Sequence, residues 1–429
     1  MTDTGSKKMR LCAPRGMVDI MPEDMPMVRF VEETARRVFE SYGYREIRTP
    51  ALEYTRLFLR GIGEATDIVE KEMYTFAGGD GDEDSTTLRP EATAPTVRAY
   101  LEHGLDKRGG FQKFYYIGPM FRHERPQAGR LREFYQLGVE AIGSYDPMVD
   151  VETMLCAMHF FDEVGLRDCV LKVNSIGCHS CRAEYRRVLR EHLKPRLAQM
   201  CPDCQARLER NVLRLLDCKR DTCCNITRQV PPMREYLDPP CREHFEVVLN
   251  LLRANEQPFV VDDHLVRGFD YYTRTVYEIT SPALTARDAV CGGGRYDNLV
   301  ADIGGPPTGA AGFAIGELPT ILALQKRAVP AAVKAPPLRA FVVAVDDDSR
   351  VTALRLVQRL RRAGVGADMD FQKRSAKAQM RQASRAAVAF AVVVGPEERA
   401  ANAVTLKNMN TGEERRIGEA DLIAALVGS

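Results

Sequence analysis

One stretch constrains this chain more than any other: Phe114–Glu140, FYYIGPMFRHERPQAGRLREFYQLGVE. It reads as two β-strands joined by a loop dense in charge, Pro and Gly. Successive strand residues point to opposite faces, so Phe134, Gln136, Gly138 and Glu140 share one face of the second strand. Tyr135, Leu137 and Val139 form the other, ordinary buried face. The first strand sets Tyr116, Gly118, Met120, Arg122 and Glu124 in one row. A sheet face carrying Arg122, Glu124, Gln136 and Glu140 is a poor core and a good floor for a polar substrate. Gly118 and Gly138 are read as leaving room above the backbone. Taken alone, the same charges also suit a solvated hairpin with surface ion pairs.

At 429 residues the chain has the length for two or three domains with ample core. A net charge of +1 carries no global nucleic-acid signal, so any basic surface must be local. No apolar run approaches the roughly 18 residues of a membrane span. The N-terminus MTDTGSKKMRLC lacks the apolar core of a signal peptide. A cytoplasmic protein with no membrane partner is expected. In such a chain the twelve cysteines are reduced thiols or metal ligands rather than a disulfide scaffold.

Along the chain, Phe30–Tyr42 has helical periodicity and stops at Gly43, a fitting C-cap. Tyr44–Glu53 reads as a strand stopped by Pro50. Met73–Phe76 and Thr86–Arg89 suggest a strand pair around the acidic turn GGDGDEDS. In LRPEATAPTVRAY, Pro90 and Glu91 end a strand and Thr93 lies near a helix start. Glu91 there is placed for a ligand ammonium, or equally for capping the helix. Asp146–Val164 is a helix and Leu171–Gly177 a strand. From Cys178 to about Pro258 charged helices interrupted by cysteines form an insertion, after which strands resume through LVRGFDYYTRTVYEI, GGGRYDNLV and TGAAGFAIG. An Ala/Pro-rich linker, residues 329–338, leads to alternating strands and helices over 339–429, a small α/β domain.

FRHERPQAGRLREFYQLGVE resembles motif 2 of the class II aminoacyl-tRNA synthetases in their histidine-specific form. LRPEATAPTVRAY, LVRGFDYYTRTVYEI and GGGRYDNLV fit the same family, and the match covers essentially the whole chain. It decides against the solvated hairpin. The resemblance implies an α+β catalytic domain over 1–328 built on an antiparallel sheet, with the cysteine-rich helical insertion at about 178–258. A C-terminal α/β anticodon-binding domain over 339–429 completes the fold. The helix, strand and proline around Tyr44–Glu53 resemble motif 1, which implies a homodimer. The implied reaction is ATP-dependent activation of L-histidine to histidyl-adenylate, then transfer to tRNA(His).

That chemistry needs no protein nucleophile. The amino acid's carboxylate attacks the α-phosphorus of ATP, and a tRNA ribose hydroxyl then attacks the adenylate. The protein must align two anions and stabilise charge on phosphate, a task suited to guanidinium groups. The resemblance implies that Arg122 and Arg267 are the catalytic arginines. ATP would also be met by Glu124, Arg130 and Phe134. Glu140 and Tyr272 would pair with the imidazole nitrogens, one accepting and the other able to donate. Glu91, Thr93 and Gln136 would hold the amino group and its surroundings, and Tyr271 and Tyr296 would wall the pocket. Gln127 and Arg130 would approach tRNA. Mg²⁺ is implied by ATP chemistry in general, not by a visible ligand cluster.

Cys178-x₂-Cys181 and Cys201-x₂-Cys204 lie nineteen residues apart, within the spacing range of a structural zinc site. Buried packing thiols remain the alternative. Zinc is not a general requirement of the family. In the last domain Lys377, Arg381 and Arg385 fall on one helix face after Lys373 and Arg374, and Arg339–Ser429 carries 15 Lys+Arg against 11 Asp+Glu. Such a stripe suits a solvated face or, as the resemblance implies, contacts from Lys373, Arg374, Lys377 and Arg381 to the anticodon stem.

One departure stands out. In Gly312–Thr320, GFAIGELPT, Pro319 occupies the position of the motif 3 arginine that meets adenine or the ATP phosphates. Two other readings therefore stay in view. One is a regulatory paralogue that binds histidine as an effector, against which the retained C-terminal domain, Glu140, Arg267 and Tyr272 all argue. The other is a non-catalytic tRNA-binding protein, which has no use for an amino-acid pocket.

Overall fold

The computed structural model describes all residues except 1–10, 64–65, 67, 79–84, 128, 286–287, 330–337 and 428–429. The tip of the GGDGDEDS turn and nearly all of the linker lie outside the described residues. The chain divides into two compact units, Met1–Ala332 and Val333–Ser429.

The first unit is built on an eight-stranded sheet. Its order is Arg45–Glu46, Gln112–Phe121, Glu133–Ile142, Ala310–Gly316, Ala289–Arg295, Thr273–Thr280, Val170–Ser175, Val260–Val261. The two outermost pairings are parallel and the rest antiparallel. The hairpin read from sequence is its longest pairing, running from Gln112 opposite Ile142 to Phe121 opposite Glu133. Two helices form the centre of the layer on one face, and Pro239–Ala254 and Glu317–Lys326 extend it with Val248, Leu252, Ala323 and Leu324. Met25–Ser41 buries Val31, Ala35, Val38 and Phe39, and Pro147–Val164 buries Met154, Ala157, Phe160 and Phe161. They pack on Tyr115, Leu137, Val139, Tyr277, Ile279, Phe313 and Ile315, the residues that alternation assigns to that side. The opposite face is left for polar groups.

The Met25–Ser41 helix starts a turn earlier than Phe30, because Pro26 in its first turn supplies a helical φ and lacks only an N–H that would go unpaired. Tyr44–Glu53 is not one strand. Arg45–Glu46 joins the large sheet, while Leu52–Tyr54 pairs with Thr86–Leu88 and, through it, Tyr74–Phe76 in a separate three-stranded sheet. Pro50, which cannot donate to a ladder, falls at the break. The first hairpin strand ends at Phe121, so Arg122 and Glu124 stand in the loop beyond the row expected for them.

The second unit is a mixed five-stranded sheet ordered Ala367–Met369, Ala340–Ala344, Phe390–Val394, Ala403–Asn408, Glu414–Gly418. Ala340, Val342 and Ala344 face helix Ser349–Arg362, and Phe341 and Val343 face helix Ala376–Arg385. A short helix, Pro396–Ala400, was not anticipated from periodicity, because five residues are too few to show one.

Candidate active site

On the sheet face away from the covering helices lies a cavity of about 120 Å³. Glu91, Thr93, Arg122, Gln136, Arg267, Tyr271, Tyr272 and Tyr296 line it, together with Tyr116, Phe269 and the bare backbone of Gly292 and Gly312. These residues come from five separated stretches of chain, and sheet register brings them together. Gly312 stands opposite Glu140, and Gly292 opposite Glu278. A Cβ at Gly312 would lie 2.3 Å from Glu140 Oε2, and one at Gly292 would lie 1.7 Å from Arg267 Nη2. The strand glycines thus make space for the carboxylate and the guanidinium. At Gly118 and Gly138 the outcome differs from the sequence reading. The Arg89 guanidinium occupies the space at Gly118, and the Tyr116 ring with the Phe313 carbonyl occupies that at Gly138, so neither is open to a ligand.

Glu140 sits just behind the lining and is 1 % exposed. Thr93 Oγ1 donates to its Oε1 at 2.7 Å, and the Tyr296 hydroxyl donates to its Oε2. Burial outweighs both bonds and pushes the carboxyl from 4.5 up to about 8. Glu91 accepts from the backbone N–H groups of Thr93 at 2.6 Å and Ala94 at 3.0 Å. It therefore caps helix Thr93–Glu102 while standing in the cavity wall, and the two readings of this residue are compatible. Burial raises its pKa as well.

The aromatic wall is continuous. Phe269 stacks on Tyr271 at 5.1 Å, Tyr271 lies 4.7 Å from Tyr272, and Tyr271 meets Tyr296 edge-on at 5.7 Å. Arg122 is held between the rings of Phe134 at 5.0 Å and Phe269 at 5.6 Å, with Nε donating to the Pro90 carbonyl at 2.9 Å. Arg267 donates from Nη1 to Glu278 at 3.0 Å and lies 5.9 Å from the Tyr272 ring centre. Three buried polar atoms at this cavity have no hydrogen-bond partner among the described residues: Gln136 Oε1, the Tyr116 hydroxyl and Arg267 Nε. Buried polar groups are normally satisfied. An acceptor, a hydroxyl and one unpaired N–H of a guanidinium whose other arm meets Glu278 together describe a site for a polar ligand.

Other expected residues lie outside the lining. Glu124 is ion-paired with Arg130, and Gln127 and Arg130 exchange backbone hydrogen bonds at the hairpin loop. Phe134 stands behind the lining, its ring against Arg122 and packed on the cluster of Ala92, Tyr116 and Met120. In the second unit Lys373, Lys377, Arg381 and Arg385 are exposed, but Arg374 is turned back, donating to Asp370 Oδ1 at 2.6 Å and Gln382 Oε1 at 2.5 Å. The four cysteines Cys178, Cys181, Cys201 and Cys204 do not form one site. The first pair joins Asp238 and Cys241, and the second joins Cys218 and Cys223. Spacing along the chain pairs neighbours in sequence and cannot show which distant ligands complete each set.

Sequence reasoning missed several supporting residues. Arg89 donates to the Pro119 carbonyl and to both oxygens of Thr49, each at 2.9 Å, tying the LRPE stretch to the hairpin. Arg295 is fully buried, pairs with Asp150 at 2.6 Å and Asp297 at 2.9 Å, and donates to the Ser144 and Asp146 carbonyls. It fixes the glycine-rich strand to the start of helix Pro147–Val164. Asp150 lies among apolar neighbours on that helix, the one local sign that it needs a distant cation.

The family model for histidyl-tRNA synthetase matches residues 16–317, and that for an anticodon binding domain matches residues 339–428. The chain belongs to the histidyl-tRNA synthetase family. The histidine–tRNA ligase of Moorella thermoacetica is 46% identical over 407 residues, covering 94% of this chain and 95% of that one. The same enzyme from Syntrophomonas wolfei is 44% identical over 418 residues, covering 97% and 98%. The apo crystal structure of S. aureus histidyl-tRNA synthetase superposes with a TM-score of 0.78 at 35% identity, covering 97% of this chain and all of that one. As in the histidyl-tRNA synthetase fold expected from the motifs, an antiparallel-dominated sheet carries the site and a separate α/β unit follows it.

Proposed function

We propose that this chain is an ATP-dependent histidine–tRNA ligase. It joins the carboxylate of L-histidine to the α-phosphorus of ATP, releasing pyrophosphate, and then passes the histidyl group to a ribose hydroxyl of tRNA(His), releasing AMP. The observation that carries this is the cavity, where Arg122 and Arg267 stand beside unpartnered Gln136 Oε1 and in front of buried Glu140. The two arginines align carboxylate and phosphate and neutralise charge as the new bond forms. Gln136 and Glu91 offer oxygens to the substrate ammonium. Glu140, with Thr93, Tyr296 and Tyr272, recognises the imidazole, and a ligand lacking ring nitrogens leaves these groups unmatched. Glu124, Arg130 and Phe134 lie outside the lining, and we assign them to ATP, with Arg130 and Gln127 also approaching the tRNA end.

Mg²⁺ accompanies the ATP. Among the described residues no carboxylate cluster at the cavity would hold it alone, since Glu91 and Glu140 are engaged by neighbouring donors and Glu278 by Arg267. A homodimer is supported by exposed Leu52 and Tyr54 in the stretch resembling motif 1. No described helix is long and apolar enough to cross a membrane. A cytoplasmic location is proposed from the reaction alone. The exposed Lys373, Lys377 and Arg381 suit the tRNA backbone.

The test is ATP–pyrophosphate exchange with a panel of amino acids, followed by charging of tRNA. Histidine alone should support exchange. Removing residues 337–429 should spare exchange and cripple charging. Charging undiminished by that deletion removes the anticodon role, and absence of any exchange favours the effector-binding paralogue.

A further inference from the structure

We propose that the insertion holds two separate structural zinc ions, one on Cys201, Cys204, Cys218 and Cys223 and one on Cys178, Cys181, Asp238 and Cys241. Within each set every potential ligand atom lies within 4.8 Å of the others. A tetrahedral ion with metal–sulfur bonds of about 2.3 Å spaces its sulfurs roughly 3.8 Å apart. Cys178 and Cys181 Sγ are 3.6 Å apart, and Cys201 and Cys218 Sγ are 4.0 Å apart, far beyond a disulfide's roughly 2.0 Å. Asp238 Oδ2 approaches Cys178 Sγ at 3.1 Å, inside the roughly 3.5 Å edge of a mixed oxygen–sulfur set.

The surroundings are those of ligands rather than of packing thiols. Cys178, Cys201 and Asp238 are the N-caps of helices His179–Leu193, Pro202–Arg210 and Pro239–Ala254, and Cys181, Cys204 and Cys241 follow three residues on. Helix N-termini favour thiolate and carboxylate. Backbone N–H groups reach the outer lone pairs: Cys201 N–H donates to Cys223 Sγ at 3.3 Å, and Asp238 N–H to Cys181 Sγ at 3.2 Å. Cys241 N–H donates to Asp238 Oδ1 at 2.9 Å, which leaves Oδ2 aimed at the sulfurs. Such contacts orient metal ligands. Cys224 is the internal contrast: its thiol turns away and donates to the Cys218 carbonyl at 2.8 Å. Four-ligand, thiolate-rich, largely buried sets select Zn²⁺ in a closed, structural role.

Both sites adjoin the contacts that brace the loop carrying Arg267. Arg182, next to Cys181, donates to the Asp270 carbonyl at 3.1 Å. Asn211 and Arg214, beyond the helix that Cys201 opens, reach Asp270 Oδ1 and the Gly268 carbonyl, each at 3.4 Å.

The experiment is metal analysis of the full-length chain purified under reducing conditions, with intact mass measured in parallel. Two zinc per chain are expected. Cys201→Ser with Cys204→Ser should lose one, and Cys178→Ser with Cys181→Ser, or Asp238→Ala, should lose the other. Because these variants can fail to fold, wild-type protein is also reloaded with Co²⁺. Two equivalents should bind, with ligand-field spectra of one all-thiolate and one thiolate–carboxylate centre. One metal per chain overturns the two-site assignment. A folded, metal-free chain overturns both sites, as does a mass lowered by disulfide formation. Iron with inorganic sulfide overturns the choice of zinc.

Discussion

The substrate cavity and the cysteine-rich insert both gather polar side chains within one unit, but by opposite means. The cavity is assembled by long-range register: Glu140 against Gly312, Gln136 against Gly316, Gly292 against Ala314. Its reverse face is a deep apolar core of helices on sheet, so the polar face keeps its shape with partners missing. The insert has a small helical core, and six of the nineteen buried residues of that core are cysteines. Where apolar area is scarce, ligation replaces burial as the source of order. The lesson is that unpartnered atoms mark a ligand site only where other forces already hold the frame. In the insert the polar atoms are themselves the frame.

The largest expected effect tests that contrast directly. Stripping metal with a strong chelator should abolish amide-exchange protection across helices His179–Leu193 and Pro202–Arg210 by orders of magnitude. The hairpin strands Gln112–Phe121 and Glu133–Ile142 should keep theirs. Equal loss in both regions would show that the insert is no separate unit of stability.

Second in size is Arg267→Ala. Nothing else in the described cavity replaces its cation beside Gly292, so pyrophosphate exchange should fall by about 3 kcal/mol, roughly a hundredfold or more. Zinc content should stay unchanged. Near-normal exchange in this variant would remove the catalytic role given to Arg267.

These two regions also differ in how far the sequence discloses them. The hairpin, the covering helices and the C-terminal α/β order were legible because period-2 and period-3.6 patterns are local. Most cavity residues were legible through motif strings, in which side-chain type and spacing are fixed together. What stayed hidden was pairwise and distant. Arg295 meets Asp150 across 145 positions, and Cys178 meets Asp238 across 60. Arg89 fills the space that Gly118 was expected to offer. Pattern tells which face a residue occupies but not which neighbour shares it. The split of Tyr44–Glu53 between two sheets was hidden for the same reason.

Third, Glu140→Gln separates binding from stability. Glu140 has a folded pKa of about 8, raised from 4.5 chiefly by burial. Between those values the folded chain retains a proton that the unfolded chain releases, so this group's contribution to stability is fully present below about pH 4.5 and is lost as pH rises towards 8. Glutamine carries no such penalty. Relative to the parent, the variant should therefore gain on the order of a few kcal/mol from pH 5 to pH 8 in denaturant melts. In the same variant the KM for histidine should rise ten- to a hundredfold with little change for ATP. A stability difference that does not move with pH would show that Glu140 is not protonated in the folded chain. Equal weakening of both substrates would contradict its assignment to the imidazole.

The smallest effect concerns Pro319, and it turns on what a helix start tolerates. Pro319 is the third residue of helix Glu317–Lys326, where a missing N–H breaks no intrahelical bond, and its ring lies against Gly316. The strand Ala310–Gly316 before it keeps its full pairing with Glu133–Ile142. The fold at this point is therefore intact, while the cation that the resemblance to motif 3 implies at this position is replaced by proline. The next arginine, Arg327, lies about two turns further along, at the C-cap of the same helix. On the function proposed above, Arg122 and Arg267 are left to meet the phosphates. A lost guanidinium contact to phosphate or adenine is worth about 1–3 kcal/mol. Pro319→Arg should accordingly lower the KM for ATP about tenfold and leave that for histidine nearly unchanged, because Glu140, Thr93 and Tyr296, the groups proposed to face histidine, sit on other elements. If ATP dependence is the same in both proteins, the helix start plays no part in nucleotide binding here. The two arginines would then account for the whole phosphate site.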